Sequence, residues 1–282
     1  MKTFPLHVIG AGSPGMEEAA EYLPMPHDMA VFRQPVIEAA PAEAAEEAYA
    51  ALSQLLTAMQ AHDFTAATRP CIDLTRLSPA ALTLANQAMG QGEVSAVVNG
   101  ECAWRIEESA FAGIWHVLAV REDGSVAEDY LEVGDVPEVL RRTALARPRP
   151  APEAIPEAPP GVMNAPALLN ELLAQSSQWR PAKAAHVINL TLLPVTPQDL
   201  DYLGRALGTG SVTLLSRGYG NCRISATALP HTWWVQYYNS MDTMILNTIE
   251  VVDVPEVALA AHQDFEDSTE RLREWLDTLR EE

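Results

Sequence analysis

Cysteine is scarce. Cys71, Cys102 and Cys222 are the only three in 282 residues, and no Cys-x-x-Cys pair occurs, which excludes a disulfide framework and a cysteine zinc site. Basic side chains are few: 18 Lys plus Arg stand against 38 Asp plus Glu, a formal net charge of -20. Such a chain repels phosphate backbones and anionic lipid wherever no local basic patch intervenes, so nucleic acid and membrane surfaces are poor partners. No run approaches the roughly 18 to 20 apolar residues of a membrane span. The start MKTFPLHVIGAGSPG has no basic region, apolar stretch and small-residue cleavage site, so the expected location is cytoplasmic. The seven histidines, His7, His27, His62, His116, His186, His231 and His262, form no His-x-x-x-His or His-x-His. Gly-x-Ser-x-Gly is missing, and no Ser or Cys comes with an identifiable base. The expectation is therefore no catalytic residue, no metal site and no cofactor.

What is present is core-forming: 48% of residues are hydrophobic and the mean hydropathy is -0.03, enough for two domains of ordinary size. Proline marks the divisions. Residues 1–42 read as a proline-containing arm, 43–145 as a first unit, 146–165 as a linker containing ARPRPAPEAIPEAPPG, and 166–282 as a second unit. Gly10-Ala11-Gly12-Ser13-Pro14-Gly15 matches the dinucleotide fingerprint in letters. Pro14 sits in its turn, however, and Pro24 and Pro26 end the helix candidate before any second strand, so it reads as a glycine-containing arm.

The two units are copies of one another. Pro79, Gly90, Gly92, Val94, Gly100, Arg105, Ile106, Trp115 and the run Asp135-Val136-Pro137-Glu138-Val139 recur as Pro197, Gly208, Gly210, Val212, Gly218, Arg223, Ile224, Trp233 and Asp253-Val254-Pro255-Glu256-Val257. The offset is 118 throughout (197 - 79 = 253 - 135 = 118), and a register held that long identifies a tandem duplication. Upstream, Ile72-Asp73-Leu74-Thr75 resembles Ile188-Asn189-Leu190-Thr191 at an offset of 116. Ser78-Pro79 and Thr196-Pro197 are each a hydroxyl N-cap followed by proline, with Gly90 or Gly208 as the stop, so each copy holds a short helix. A further helix precedes each unit, near 43–61 and 166–178. SVTLLSRG, CRISATAL, TWWVQYYN and TMILNTIEVV read as an antiparallel meander. The C-terminal EVALAAHQDFEDSTERLREWLDTLREE suits an amphipathic helix interrupted near Asp267-Ser268. The expected fold class is α+β: two tandem related domains, each an antiparallel meander packed with helices in two layers.

Alternation along Thr232 to Tyr238 puts Trp233, Val235 and Tyr237 on one face and Trp234, Gln236 and Tyr238 on the other. Trp115 and Val117 repeat Trp233 and Val235, making the first face the duplicated core. A turn centred near Pro230 and His231 sets Arg223 roughly opposite Tyr238 on the second face. Trp234, Tyr238 and Arg223, with Tyr219 in the neighbouring turn, have the composition of a binding hot spot. The other reading of the aromatic pair is core, covered by a helix or by the other domain. Each cysteine reads first as a small apolar residue; Cys222, beside a glycine turn and Arg223, is the candidate for a lowered pKa.

RGYGNCRI (217–224), WWVQYYNSMDTMILNTIEVVDVPEVA (233–258) and the DSTERLREWL ending resemble the C-terminal domain of the HupH/HyaF family of hydrogenase expression and formation proteins, and EYLPMPHDMAVFRQP resembles that family's leading segment. The resemblance implies a cytoplasmic accessory protein for maturation of uptake nickel-iron hydrogenase. It implies as partners the small subunit precursor, which carries the iron-sulfur clusters, and other maturation proteins. It brings no established catalytic residue. A chaperone-like role and the handling of iron or an iron-sulfur cluster both remain open on this reading.

Overall fold

The computed structural model describes residues 41–64, 68–145, 157–218 and 220–281. The arm with its Gly10–Gly15 loop, most of the proline-rich linker, and Tyr219 lie outside them. In the first copy α1 (Ala42–Ala61) is followed by β1 (Cys71–Asp73), α2 (Pro79–Met89), β2 (Val94–Asn99), β3 (Ala103–Glu108), β4 (Ile114–Val120), β5 (Val126–Val133) and α3 (Glu138–Leu145). The second copy runs α4 (Ala165–Ser177), β6 (His186–Asn189), α5 (Pro197–Leu207), β7 (Val212–Ser216), β8 (Asn221–Ala226), β9 (Thr232–Tyr238), β10 (Met244–Val251), a 3-10 turn (Glu256–Ala258) and α6 (His262–Glu281). Adding 118 to the limits of α2, β3, β4 and β5 gives those of α5, β8, β9 and β10 residue for residue. The duplication is thus one of structure as well as of sequence.

Local chemistry explains the shared limits. The Ser78 hydroxyl accepts from the Ala81 N–H, and Thr196 accepts from Asp199 while the Asp199 carboxylate accepts from the Thr196 N–H, closing a capping box. Gly90 and Gly208 end the helices at φ 60° and 64°, with ψ values of -156° and 179° that only glycine adopts readily. The second glycine of each Gly-x-Gly has a different duty. Gly92 donates to the Glu108 carbonyl and Gly210 to the Ala226 carbonyl, each at 2.8 Å. A side chain at Gly92 would fall on the Ser109 carbonyl oxygen, and one at Gly210 would stand 2.7 Å from that of Thr227.

The expected pair of separate sheets is not what forms. All ten strands join one antiparallel sheet in the order β1-β5-β4-β3-β2-β7-β8-β9-β10-β6. The copies meet where β2 pairs with β7, from Val94↔Ser216 to Val98↔Val212. The central pair, Ala96↔Leu214, consists of duplicate positions (96 + 118 = 214), so a pseudo-twofold axis passes through it. This is an isologous interface inside one chain. The pairing gives each inner edge strand partners for its outward N–H and C=O groups.

The α+β class stands, but the two-layer arrangement is replaced by helical cover on both sides of a shared sheet. One face carries a single core across the seam, with Trp115, Val117, Ala96, Leu214, Trp233 and Val235 under α3 and the 3-10 turn. On that side Arg141 of α3 reaches Asp135 of its own copy at 2.8 Å and also Asp253, the duplicate of Asp135 in the other copy. Among the described residues the opposite face is covered by helices over its outer strands: by α1, α2 and α6 in the first copy and by α4 and α5 in the second. Helix α6 belongs in sequence to the second copy, yet Phe265, Leu272 and Leu276 fill the core of the first beside Leu52, Leu55 and Leu131. It also runs unbroken through Asp267-Ser268; the interruption lies before it, at Leu259–Ala261.

Candidate partner-binding surface

Between those two helical groups the second face of the sheet keeps a band around the seam. Strand pairing aligns Leu118, Arg105, Val97, Thr213 and Ser225 in one row across it. A second row holds His116, Glu107, Ser95, Leu215, Arg223 and Gln236. Apart from Leu215 these side chains are half-buried, whereas on the outer strands of the same face Leu131, Trp234 and Ile249 are buried. The pseudo-twofold exchanges the rows, so Arg105 and Arg223 flank the seam as duplicates. Two cations on a rigid sheet, half-exposed and symmetrically placed, form a fixed recognition feature that no loop motion has to assemble.

The predicted contact residues divide between the open face and the core. Arg223 and Tyr238 lie on this face as expected, but Arg223 pairs with Gln236 and Tyr238 with Asn221. The turn is centred between Leu229 and Pro230, one residue earlier than the sequence suggests. Arg223 still reaches Tyr238 diagonally, its Cζ 5.8 Å from the ring centroid, close enough for a cation–π contact. Trp234 is corrected from surface to core. It is 5% exposed, packs with Leu169, Leu203 and Ile249 beneath α4 and α5, and donates its indole N–H to Asn247 Oδ1 at 2.6 Å. Tyr219 is among the residues not described. Cys222 is also corrected: it is 1% exposed, and burial pushes its thiol up to about 12, opposite to the lowering expected of a reactive thiol.

The structure adds a polar pair whose bond the sequence did not show. His116 Nε2 lies 2.7 Å from Asp129 Oδ1. These positions duplicate as Trp234 and Asn247 (116 + 118 = 234; 129 + 118 = 247), which make the same cross-strand bond with neutral groups. The first copy thus places a His–Asp pair where the second has a Trp–Asn pair. Glu107, directly across from His116, has its pKa raised, chiefly by burial against the opposing pull of His116 and Arg217. At the end of the same strand Glu108 is pushed up to about 7 by burial, opposed by the Gly113 N–H and reinforced by Glu93 and Asp264. Arg105 was visible in the repeated register; His116 and Asp129 carried only the weaker signal of breaking it.

Among the described residues no three His, Cys, Asp or Glu side chains are placed to hold a metal ion, and no helix is long and apolar enough to cross a membrane. The arrangement suits recognition of a partner: charge, one aromatic edge and hydrogen-bonding groups, all fixed by strand register.

Comparison with known proteins locates this architecture. The conserved C-terminal region of the HupH hydrogenase expression protein matches residues 42–145 and 162–279, one stretch in each copy. The hydrogenase expression/formation protein HoxQ of Cupriavidus necator is 45% identical over 98% of both chains. HupH of Rhodobacter capsulatus is 41% identical over 99% of this chain and 100% of its own. The hydrogenase-1 operon protein HyaF of Escherichia coli is 30% identical over 96% of each. A solved HupH from Thiobacillus denitrificans, 30% identical, aligns with 41% of this chain and 96% of its own at a TM-score of 0.39. With both copies matched and relatives aligned nearly end to end, the chain belongs to the HupH/HyaF family of hydrogenase expression/formation proteins.

Proposed function

We propose that this protein serves hydrogenase maturation by holding the iron-sulfur small subunit precursor of a nickel-iron uptake hydrogenase, as a binding protein without a reaction of its own. The carrying observation is the half-exposed band at the seam, where Arg105 and Arg223 are presented on a rigid floor. The relatives' names, as expression and formation proteins, support an accessory role. The net charge of -20 adds a general preference for a cationic client, exerted mainly on association rate and weakened by salt.

The test is precursor binding by purified full-length variants. Arg223→Ala and Tyr238→Ala are expected to lower affinity at least tenfold while leaving the melting temperature within a few degrees. Trp234→Ala instead costs about 3–5 kcal/mol of stability, as a large core truncation does. A precursor that fails to bind the wild-type protein, or that binds both surface variants at full strength, refutes this function.

A further inference from the structure

Large apolar side chains left in solvent are not spread evenly over the molecule. Val187, Leu192, Leu193, Met241, Met244 and Ile245 are 50%, 80%, 39%, 79%, 44% and 57% exposed, and these six belong to β6, the loop after it, and the β9–β10 hairpin, with only Val126 and Met163 of comparable exposure elsewhere among the described residues. These segments form one corner. Strand β6 pairs with β10 and ends the sheet. Beyond it the Leu190 N–H donates to the Asn247 carbonyl, and the Asn247 N–H donates to the Thr191 hydroxyl, at 2.9 and 2.8 Å. That clamps the loop bearing Leu192 and Leu193 beside the start of β10, where Met244 and Ile245 sit on an irregularity of register. Bulges of this kind turn side chains outward.

The duplication supplies an internal control. At the matching corner of the first copy, Met241 corresponds to Asp123, Ile245 to Ala127 and Leu192 to Arg76, while Met244 and Leu193 correspond to the apolar Val126 and Leu77 (241 - 118 = 123; 245 - 118 = 127; 244 - 118 = 126; 192 - 116 = 76; 193 - 116 = 77). Arg76 there is 89% exposed and pairs with Asp73 at 3.4 Å. The same framework folds with Asp123, Ala127 and Arg76 at three of these places, so packing does not demand Met241, Ile245 and Leu192. Exposed apolar side chains that folding does not require, gathered on neighbouring segments, mark an interaction site, and methionine suits one that must adapt to its guest.

Charge selects the occupant. No Lys or Arg occurs between Lys183 and Arg205, or between Arg223 and Arg271, Asp242 and Glu250 lie in β10 and its turn, and Arg223, beside the hairpin, is engaged with the Tyr238 ring. A second copy of this chain, itself carrying -20, would be repelled. An extended segment bearing apolar side chains and flanking Lys or Arg would be drawn in. Strand β6, as a sheet edge, can add such a segment by backbone pairing, with the apolar corner receiving its side chains.

We propose that this corner is the docking site for an extended, apolar and basic segment of the client, which joins β6 as an eleventh strand. The inference rests on the proposed holding function and adds the place and chemistry of contact. To test it, binding of the purified small subunit precursor is measured for full-length Leu192→Glu/Ile245→Glu and for the control Val126→Glu, whose valine is 51% exposed outside the corner. The double variant should bind at least tenfold more weakly and the control within twofold. In parallel, hydrogen exchange of the wild-type complex should reveal new protection over 186–193 and 241–246. Equal binding by the double variant, or a footprint without those segments, overturns the docking site while leaving the holding function intact. Failure of the wild-type protein to bind the precursor overturns both.

Discussion

Glu108 is the residue at which this fold works against itself. The residue is 7% exposed, and burial, with Glu93 and Asp264 nearby, pushes its carboxyl up to about 7 from an ordinary 4.5. An acid whose folded pKa is raised binds more protons folded than unfolded, so stability falls as pH rises from about 4.5 to about 7 and stays lowered above that. A shift of this size caps the loss at about 3 kcal/mol. Glu108→Gln is therefore expected to raise the melting temperature at pH 8 and to give no gain at pH 4; melts at the two values check it. An equal effect at both would mean the carboxylate is not the source. Asp199 shows the opposite outcome of burial. Desolvation disfavours its charge, but the N–H groups of Thr196, Ala165 and Met163 and the Thr196 hydroxyl hold it well below the usual carboxylate range. The donors around Asp199 outweigh its desolvation, whereas those at Glu108 do not.

At the scale of elements the repeated Gly-x-Gly makes a sharp claim. Gly92 passes so close to the β3–β4 corner that a methyl group would meet the Ser109 carbonyl, whereas one at Gly100 would find its nearest neighbour at 3.8 Å. Gly92→Ala should cost about 1–3 kcal/mol, as overpacking against backbone does, and Gly100→Ala much less, measured by denaturant midpoints at equal slope. Elements of this kind were legible in advance. The caps at Ser78 and Thr196, the stops at Gly90 and Gly208, and four strands per copy follow from local chemistry, and the duplication let each copy proofread the other. Whether Trp234 is covered was not legible, since alternation assigns a side chain to a face and says nothing of what lies over that face. The Arg223 register slipped for a related reason: Thr227 bonds the Leu229 and Thr232 carbonyls, tightening the turn around a centre that Pro230 and His231 do not announce.

For the whole molecule, what the chain order conceals is that the copies are not independent. Pairing of β2 with β7 needs each copy to offer an inner edge to the other, a relation between strands separated by 118 residues that no local pattern encodes. The crossing of α6 is hidden more deeply, because it follows the second copy's DVPEV run directly and yet lies against α1 of the first. If this cover is part of the first core, Leu272→Ala, at a position 0% exposed, should cost about 2–5 kcal/mol, and its effect should surface across the seam. Native-state hydrogen exchange should quicken over α1 (42–61) and leave α4 (165–177) as it was. Faster exchange confined to the second copy would mean that each unit is self-sufficient and the shared sheet merely an adjoining of two. Coupling of this kind also bears on a held client. A guest seated at the seam or at the β6 edge contacts a sheet whose strands all belong to one hydrogen-bonded array, so ordering at one end draws on cores at both.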